Sequence, residues 1–136
     1  MSWSLPVPDP VSLLVTDEVI ATYAEAANDR NPIHLDDEAA RAVGMPGRIA
    51  HGMLSGALLL RMLEESFGSD WRLHGRVELT FIRPLLPGRT VTARAQLDGE
   101  RLEVWVETDE PGRPRTIVGT AWLERDAPAA GQALGN

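Results

Sequence analysis

His51-Gly52-Met53-Leu54-Ser55-Gly56-Ala57-Leu58-Leu59-Leu60-Arg61-Met62-Leu63-Glu64-Glu65-Ser66-Phe67 is the stretch on which the fold of this chain turns. It contains no proline and is apolar on nearly every face, with charge only at Arg61, Glu64 and Glu65 before Gly68. Such a pattern predicts a buried helix, because an amphipathic surface helix would leave one face polar. Its apolar run is broken by Ser55, Gly56 and Arg61 and falls far short of the roughly 20 residues needed to cross a bilayer. The helix therefore needs cover from protein, and the rest of the sequence has to provide it.

The cover lies downstream. After Gly75 the period switches to two: Val77, Leu79 and Phe81 alternate with Glu78, Thr80 and Ile82. Pro84, Pro87 and Gly88 make a break, and Val91, Ala93, Ala95 and Leu97 alternate again. Asp98-Gly99 is a hairpin signal, and beyond it Leu102, Val104 and Val106 face one way and Trp105 the other. Glu110-Pro111-Gly112 breaks the chain before a last strand over 116–123. The connections are too short for crossovers, so these four strands are expected as an antiparallel meander. The fold class is α+β, one sheet face packing on the apolar helix. A single sheet face cannot cover a helix that is apolar on most sides, so its remaining faces or the sheet edge are expected to meet a second subunit.

Upstream, the Pro-rich lead (Pro6, Pro8, Pro10) runs into Val11–Val15, a strand or an extended approach to the core. Thr16 is a candidate N-cap for a helix with Asp17 and Glu18 in its first turn, ending near Asn28 ahead of Asn31-Pro32. Asp36 can cap a second, short helix over 37–43, with Gly44 as its stop. The amino terminus has no basic segment followed by an apolar one, so a cytoplasmic protein is expected. Residues 1–125 are expected as one domain, and 126–136, rich in Ala, Gly and Pro, as a disordered tail in which Leu134 is one possible contact. Trp3, Trp71, Trp105 and Trp122 are scattered rather than interleaved with Arg and are expected in the core or at an interface.

The chain has 136 residues, 43% hydrophobic and 24% charged, the size and composition of one soluble domain. Its 13 basic residues are all arginine and face 20 acidic ones, for a net charge of -7, the wrong sign for a nucleic-acid partner. Lacking lysine, it has no Schiff-base nucleophile or P-loop lysine, and lacking cysteine it has no disulfide, thiol nucleophile or Cys-ligated metal.

Two clusters can carry chemistry. Asp29 and His34 share a loop that closes a helix, with Asn31-Pro32 between them. An imidazole and a carboxylate held together can divide a proton transfer, and the same residues are equally ordinary turn formers. Arg48-Ile49-Ala50-His51-Gly52-Met53 opens the buried helix, whose first amides lack intrahelical partners. Gly52 lets a ligand oxygen approach its N–H, the physical form of an oxyanion hole, although His51 and Gly52 also suit a plain helix start. A zinc set of His34, Asp36, Asp37 and His51 lacks any His-x-x-x-His pair, and Ser55 lacks the context of a nucleophile elbow; no metal and no cofactor are expected.

Asp29-x-Asn31-Pro32-Ile33-His34-x-Asp36 together with Ile49-Ala50-His51-Gly52-Met53-Leu54 resembles the signature of the MaoC-like family, the (R)-specific enoyl-CoA hydratases and related 3-hydroxyacyl thioester dehydratases. The resemblance runs over roughly residues 11–125 and implies a single hot-dog fold, an antiparallel sheet wrapped around a long central helix. It also implies a homodimer with sites at the subunit interface, although a heterodimer is possible. By the same resemblance Asp29 and His34 activate water for addition to a trans-2-enoyl thioester of CoA or acyl-carrier protein. Asn31 supports that pair, the Gly52 amide holds the thioester oxygen, and His51 shapes the pocket. Where the family often has Gly before the Asp, this chain has Asn28, which tolerates left-handed backbone. The anionic carrier needs cations, and Arg30, Arg48 and Arg83 are the candidates. The alternatives are a non-catalytic acyl-binding subunit of a heterodimer and a hot-dog thioesterase; neither a nucleic acid nor a membrane is an expected partner.

Overall fold

The apolar run folds as a sixteen-residue helix and its most apolar faces are lost to solvent: Leu59 and Leu63 are 0% and Met62 1% exposed. The computed structural model describes residues 6–124; Trp3, the expected tail 126–136 and its contact Leu134 lie outside the described residues. Along the chain the elements are β1 (Val11–Val15), α1 (Asp17–Ala27), a 3-10 turn (Pro32–His34), α2 (Asp37–Ala42), α3 (Gly52–Phe67), α4 (Ser69–His74), β2 (Gly75–Phe81), β3 (Arg89–Asp98), β4 (Arg101–Thr108) and β5 (Arg115–Leu123). Among the described residues no helix is long and apolar enough to cross a membrane.

One antiparallel sheet holds all five strands in the order β1-β3-β4-β5-β2. The helix α3 packs on its inner face, where Val15, Val91, Ala93, Leu102, Val104, Val106, Ile117 and Ala121 join Leu58, Leu59, Met62 and Leu63 in a single core. This is the hot-dog arrangement. The expected four-strand meander is corrected: β3, β4 and β5 do run as a meander, but β2 pairs with β5 and makes no ladder with β3. Residues 82–88 carry the chain from one edge of the sheet to the other side of the meander, and the 11–15 segment is the strand at the far edge.

Close approach explains one residue at the centre of this sheet. A Cβ on Gly119 would run into the carbonyl oxygen of Glu78 on the neighbouring strand, so β5 can lie against β2 only with glycine there. At the β3–β4 hairpin Asp98 pairs with Arg101, which leaves Gly99-Glu100 as the loop; positive φ at Gly99 alone is the pattern of a type II′ turn.

The expected uncovered surface is present. Met53 (47%), Phe81 (48%) and Ile82 (53%) stand exposed at the start of α3 and the end of β2. On the outer face of the sheet, polar groups bury one another instead. Glu107 is 7% exposed and accepts from Trp105 Nε1–H at 2.8 Å, from Arg94 at 3.1 Å and from Arg113 at 3.3 Å. Arg115 and Arg101 lie over the rings of Trp105 and Trp122.

Burial raises the pKa of Glu107, but the Trp105 N–H and the two guanidinium groups outweigh it and hold the carboxyl below the ordinary value of 4.5. A depressed folded value stabilises fully above the unfolded value and is lost as pH falls through the folded one. Glu107→Gln should therefore cost about 1.5–3 kcal/mol near neutral pH. In urea melts the gap from wild type should narrow as pH is taken down past 4.5; a gap independent of pH would show that the charge is not what matters.

Candidate active site

The loop that follows α1 is built by its caps. Asn28 takes left-handed backbone (φ 52, ψ 42), the amide of Asn28 donates to Glu25 and that of Asp29 to Ala24, which together close the helix as a Schellman motif. Asn therefore replaces glycine at this turn without changing its course. The Asp29 carboxylate accepts from the Asn31 amide (3.3 Å), and the Asn31 side chain accepts from the Ile33 amide (3.2 Å), capping the 3-10 turn that carries His34. Asn31 supports the loop in this way, two positions beyond the Asp29 whose carboxylate its amide braces.

A second pair of backbone contacts fixes where this loop stands. The Ile49 amide donates to Ile33 (3.0 Å) and the Ala50 amide to Leu85 (2.8 Å), so the residues before α3 are stitched to the loop on one side and to the chain after β2 on the other. His34, 8% exposed, bonds the Ile49 carbonyl through Nδ1 at 2.8 Å. A carbonyl only accepts, so Nδ1 carries the proton and Nε2 of the neutral ring presents its lone pair. His51, 3% exposed, donates in the same way from Nε2 to the Asp29 carbonyl at 2.9 Å. The His34 and His51 rings stack with centroids 3.7 Å apart and planes 25° from parallel.

Asp29, His34 and His51 thus come together, each with a ring nitrogen or carboxylate oxygen within 4.8 Å of the others. By residue type this trio, rather than the set of His34, Asp36, Asp37 and His51, is the one able to hold a metal. His51, however, has Nε2 bonded to the Asp29 carbonyl and Nδ1 fully enclosed, whereas zinc needs free donors converging on one point at about 2.0–2.1 Å. Asp36 is engaged elsewhere, capping α2 through the amides of Glu38 and Ala39, and Asp37 is bonded to Arg48. The trio suits proton transfer better than coordination.

Beside it lies a cavity of about 310 Å³. His51, Gly52 and Ser55 line it from the α3 side, Phe81, Ile82, Arg83 and Pro84 from the end of β2, and Thr116 and Ile117 from β5. The Gly52 amide opens α3, where no helical carbonyl reaches it, and the Phe81 ring packs so closely that a Cβ on Gly52 would sit 3.0 Å from Phe81 Cδ2. Phe81, Ile82, Thr116 and the Ser55 hydroxyl were not marked as site residues by sequence reasoning. The Pro84 break was the available signal that the strand ends near something, but only the β2–β5 pairing brings that end to the helix start.

The three candidate arginines separate. Arg30 is bonded to Glu25 and Asn28. Every guanidinium nitrogen of Arg48 is bonded to Asp17 or Asp37, and its backbone N–H also donates to Asp37, which is the first cause holding the Asp37 carboxyl below its ordinary pKa. Arg48 is a clasp between the starts of α1 and α2. Arg83 lines the cavity and has no carboxylate, carbonyl or ring partner among the described residues.

Fold and site together define a class: a helix start with an open amide, wrapped by a sheet, beside an aspartate and a histidine on a capped loop. The chain belongs to the MaoC-like domain family, whose model matches residues 6–112. It is similar to 3-hydroxyacyl-thioester dehydratase X of Mycobacterium tuberculosis, 37% identical over 95 residues that make 68% of this chain and 32% of that protein. It is also similar to the (R)-specific enoyl-CoA hydratase of Rhodospirillum rubrum, 29% identical over 85 residues, 62% of this chain and 59% of the hydratase. Among solved structures, the (R)-hydratase from A. caviae involved in PHA biosynthesis superposes with a TM-score of 0.67 at 24% identity, covering 90% of this chain and 99% of that one. The matched stretches cover about a third of the length of the dehydratases from M. tuberculosis and Arabidopsis thaliana, 32% and 31%.

If Arg48 is a clasp, Arg48→Met should lower the melting temperature, and the loss should shrink in about 1 M salt, where such pairs are screened. Equal stability of the two proteins in low salt would show the clasp to be idle.

Proposed function

We propose that this protein is a hydro-lyase that reversibly adds water to trans-2-enoyl thioesters of CoA or acyl-carrier protein, giving (R)-3-hydroxyacyl thioesters. The observation that carries the proposal is the meeting of Asp29 and His34 at His51, the residue that precedes the first amide of α3. The names of the relatives from M. tuberculosis and R. rubrum point the same way.

The reaction needs a base for water, a proton for C2 and a donor for the carbonyl oxygen. His34 Nε2 and the Asp29 carboxylate hold the water and take one of its protons as its oxygen bonds C3. The π electrons move toward the thioester carbonyl, whose oxygen, carrying enolate charge, is held by the Gly52 amide. The pair then delivers a proton to C2 on the same face, so the double bond becomes one C–O and one C–H bond. Dehydration runs the same steps backwards. The Ser55 hydroxyl and the apolar walls of the cavity receive the acyl part, and Arg83, unlike Arg30 and Arg48, has its charge available for the phosphates of the carrier. A second copy of the chain covers Met53, Phe81 and Ile82 and closes the site from outside.

A heteromeric reading also has support, because a relative 31% identical over 125 residues is the alpha subunit of a 3-oxo-4,17-pregnadiene-20-carboxyl-CoA hydratase. Mixing the purified protein with crotonyl-CoA separates the cases: loss of the conjugated-thioester absorbance without thiol release supports hydration, thiol release supports a thioesterase, and inertness points to a partner subunit. Asp29→Asn and His34→Ala should each lower hydration by about 10²–10⁴-fold; retention of full activity by both would refute the assignment. Arg83→Ala should raise KM for crotonyl-CoA and leave KM for the N-acetylcysteamine thioester, which has no phosphate, unchanged. An equal rise for both substrates would remove Arg83 from carrier binding.

A further inference from the structure

His51 has no step in the mechanism above, yet its environment is costly. Its ring is sandwiched between His34, stacked at 3.7 Å, and Tyr23, tilted with centroids 4.8 Å apart. Nε2 donates to the Asp29 carbonyl, which leaves Nδ1 as a lone pair; that atom is fully enclosed and has no hydrogen-bond partner among the described residues. An enclosed acceptor without a donor forfeits the water it had in the unfolded chain, and a phenylalanine or leucine would fill the space without that cost. Although His51 precedes α3 as its N-cap, its side chain makes no capping bond either. Packing and capping thus both fail to account for an imidazole at this position. What remains are its two contacts with the acid–base pair: the N–H that holds the main chain of Asp29, and the ring face against which His34 lies.

We infer that His51 is a positioning residue that sets the distance between Asp29 and His34, through its Nε2–H on the Asp29 carbonyl and its ring face under His34. Asp29 is exposed, and its carboxylate is braced within the loop by the Asn31 amide; the His51 bond is the contact that ties the main chain of Asp29 to the buried rings. His34, by contrast, keeps its anchor on Ile49 and stays in place. Loss of the His51 donor therefore separates the pair rather than destroying either member. The substrate groups bound by Gly52 and Arg83 are untouched, so the defect falls on turnover rather than on binding.

This inference rests on the hydratase proposal for its kinetic readout and on an independent one for its geometry. His51→Phe keeps a ring against His34 and Tyr23 and removes the donor; His51→Gln places an amide N–H near the reach of Nε2 and removes the ring. The Phe variant should lose about 10²-fold in kcat on crotonyl-CoA with KM within about threefold, the penalty typical of a misplaced catalytic group. Its melting temperature should equal or exceed that of wild type, and the Gln variant should recover at least about tenfold in kcat over the Phe variant. A Phe variant with kcat within about threefold of wild type, or a Gln variant no better than Phe, overturns the inference. Nitrogen-15 spectra of histidine-labelled wild type decide the geometry whatever the activity: His51 should be protonated at Nε2 and His34 at Nδ1, and the His34 signals should move in the Phe variant. The opposite tautomer at His51 would overturn the inference even in an active enzyme. A wild type inert toward enoyl thioesters with these tautomers intact would instead refute the hydratase proposal and leave the positioning geometry standing.

Discussion

Burial of α3 under the sheet is the constraint on which everything else in this protein depends. Leu58, Leu59, Met62 and Leu63 are held at 5% exposure or less, so the helix can neither slide nor rotate without exposing core. Its start is thereby fixed: Leu54, Ser55 and Gly56 are inside, and Gly52 and Met53 emerge. The residues just before it inherit that position. Ile49 and Ala50 are bonded to Ile33 and Leu85, His34 hangs from the Ile49 carbonyl, and Asp29 is reached from His51. The loop of Asp29 and His34 is thus registered to the core by backbone bonds and two histidine rings.

Local signals in the sequence were legible where a single residue type settles a single backbone demand. Thr16 and Asp36 cap the helices they were expected to cap, Asn28 takes the left-handed turn, and the apolar run from His51 onward becomes the buried helix. The meeting of Asp29 and His34 was legible to the same extent: they lie five positions apart on one loop, and bringing them together needs only that loop to be rigid. Long-range pairing was not legible. Alternation in β2 and β3 identifies both as strands but carries no information about partners, and β2 joins β5 because a glycine at position 119 admits it. The six residues of α4 contain too few apolar positions to show a period, and Arg48 reads as a loop cation until Asp17, 31 positions away, is folded against it.

Charge is resolved by the same contrast between local and distant. A net charge of -7 poses a difficulty for any anionic ligand, and the structure shows how unevenly that charge is compensated. Most arginines among the described residues lie against a carboxylate or over a tryptophan, which removes them from competition for a phosphate. Arg83 differs by its place at the end of β2, beyond which Pro84 and Pro87 turn the chain away. A protein acidic overall can in this way present one cation at a cavity mouth.

In the proposed mechanism the thioester carbonyl is received at the start of α3 while Asp29 and His34 address the double bond. A crystal structure of the Asp29→Asn variant soaked with crotonyl-CoA tests it most directly. The carbonyl oxygen should lie about 2.7–3.2 Å from the Gly52 nitrogen, with C3 facing His34 Nε2. A thioester bound with its carbonyl away from Gly52, or with its double bond on the side of the cavity remote from His34, would contradict it.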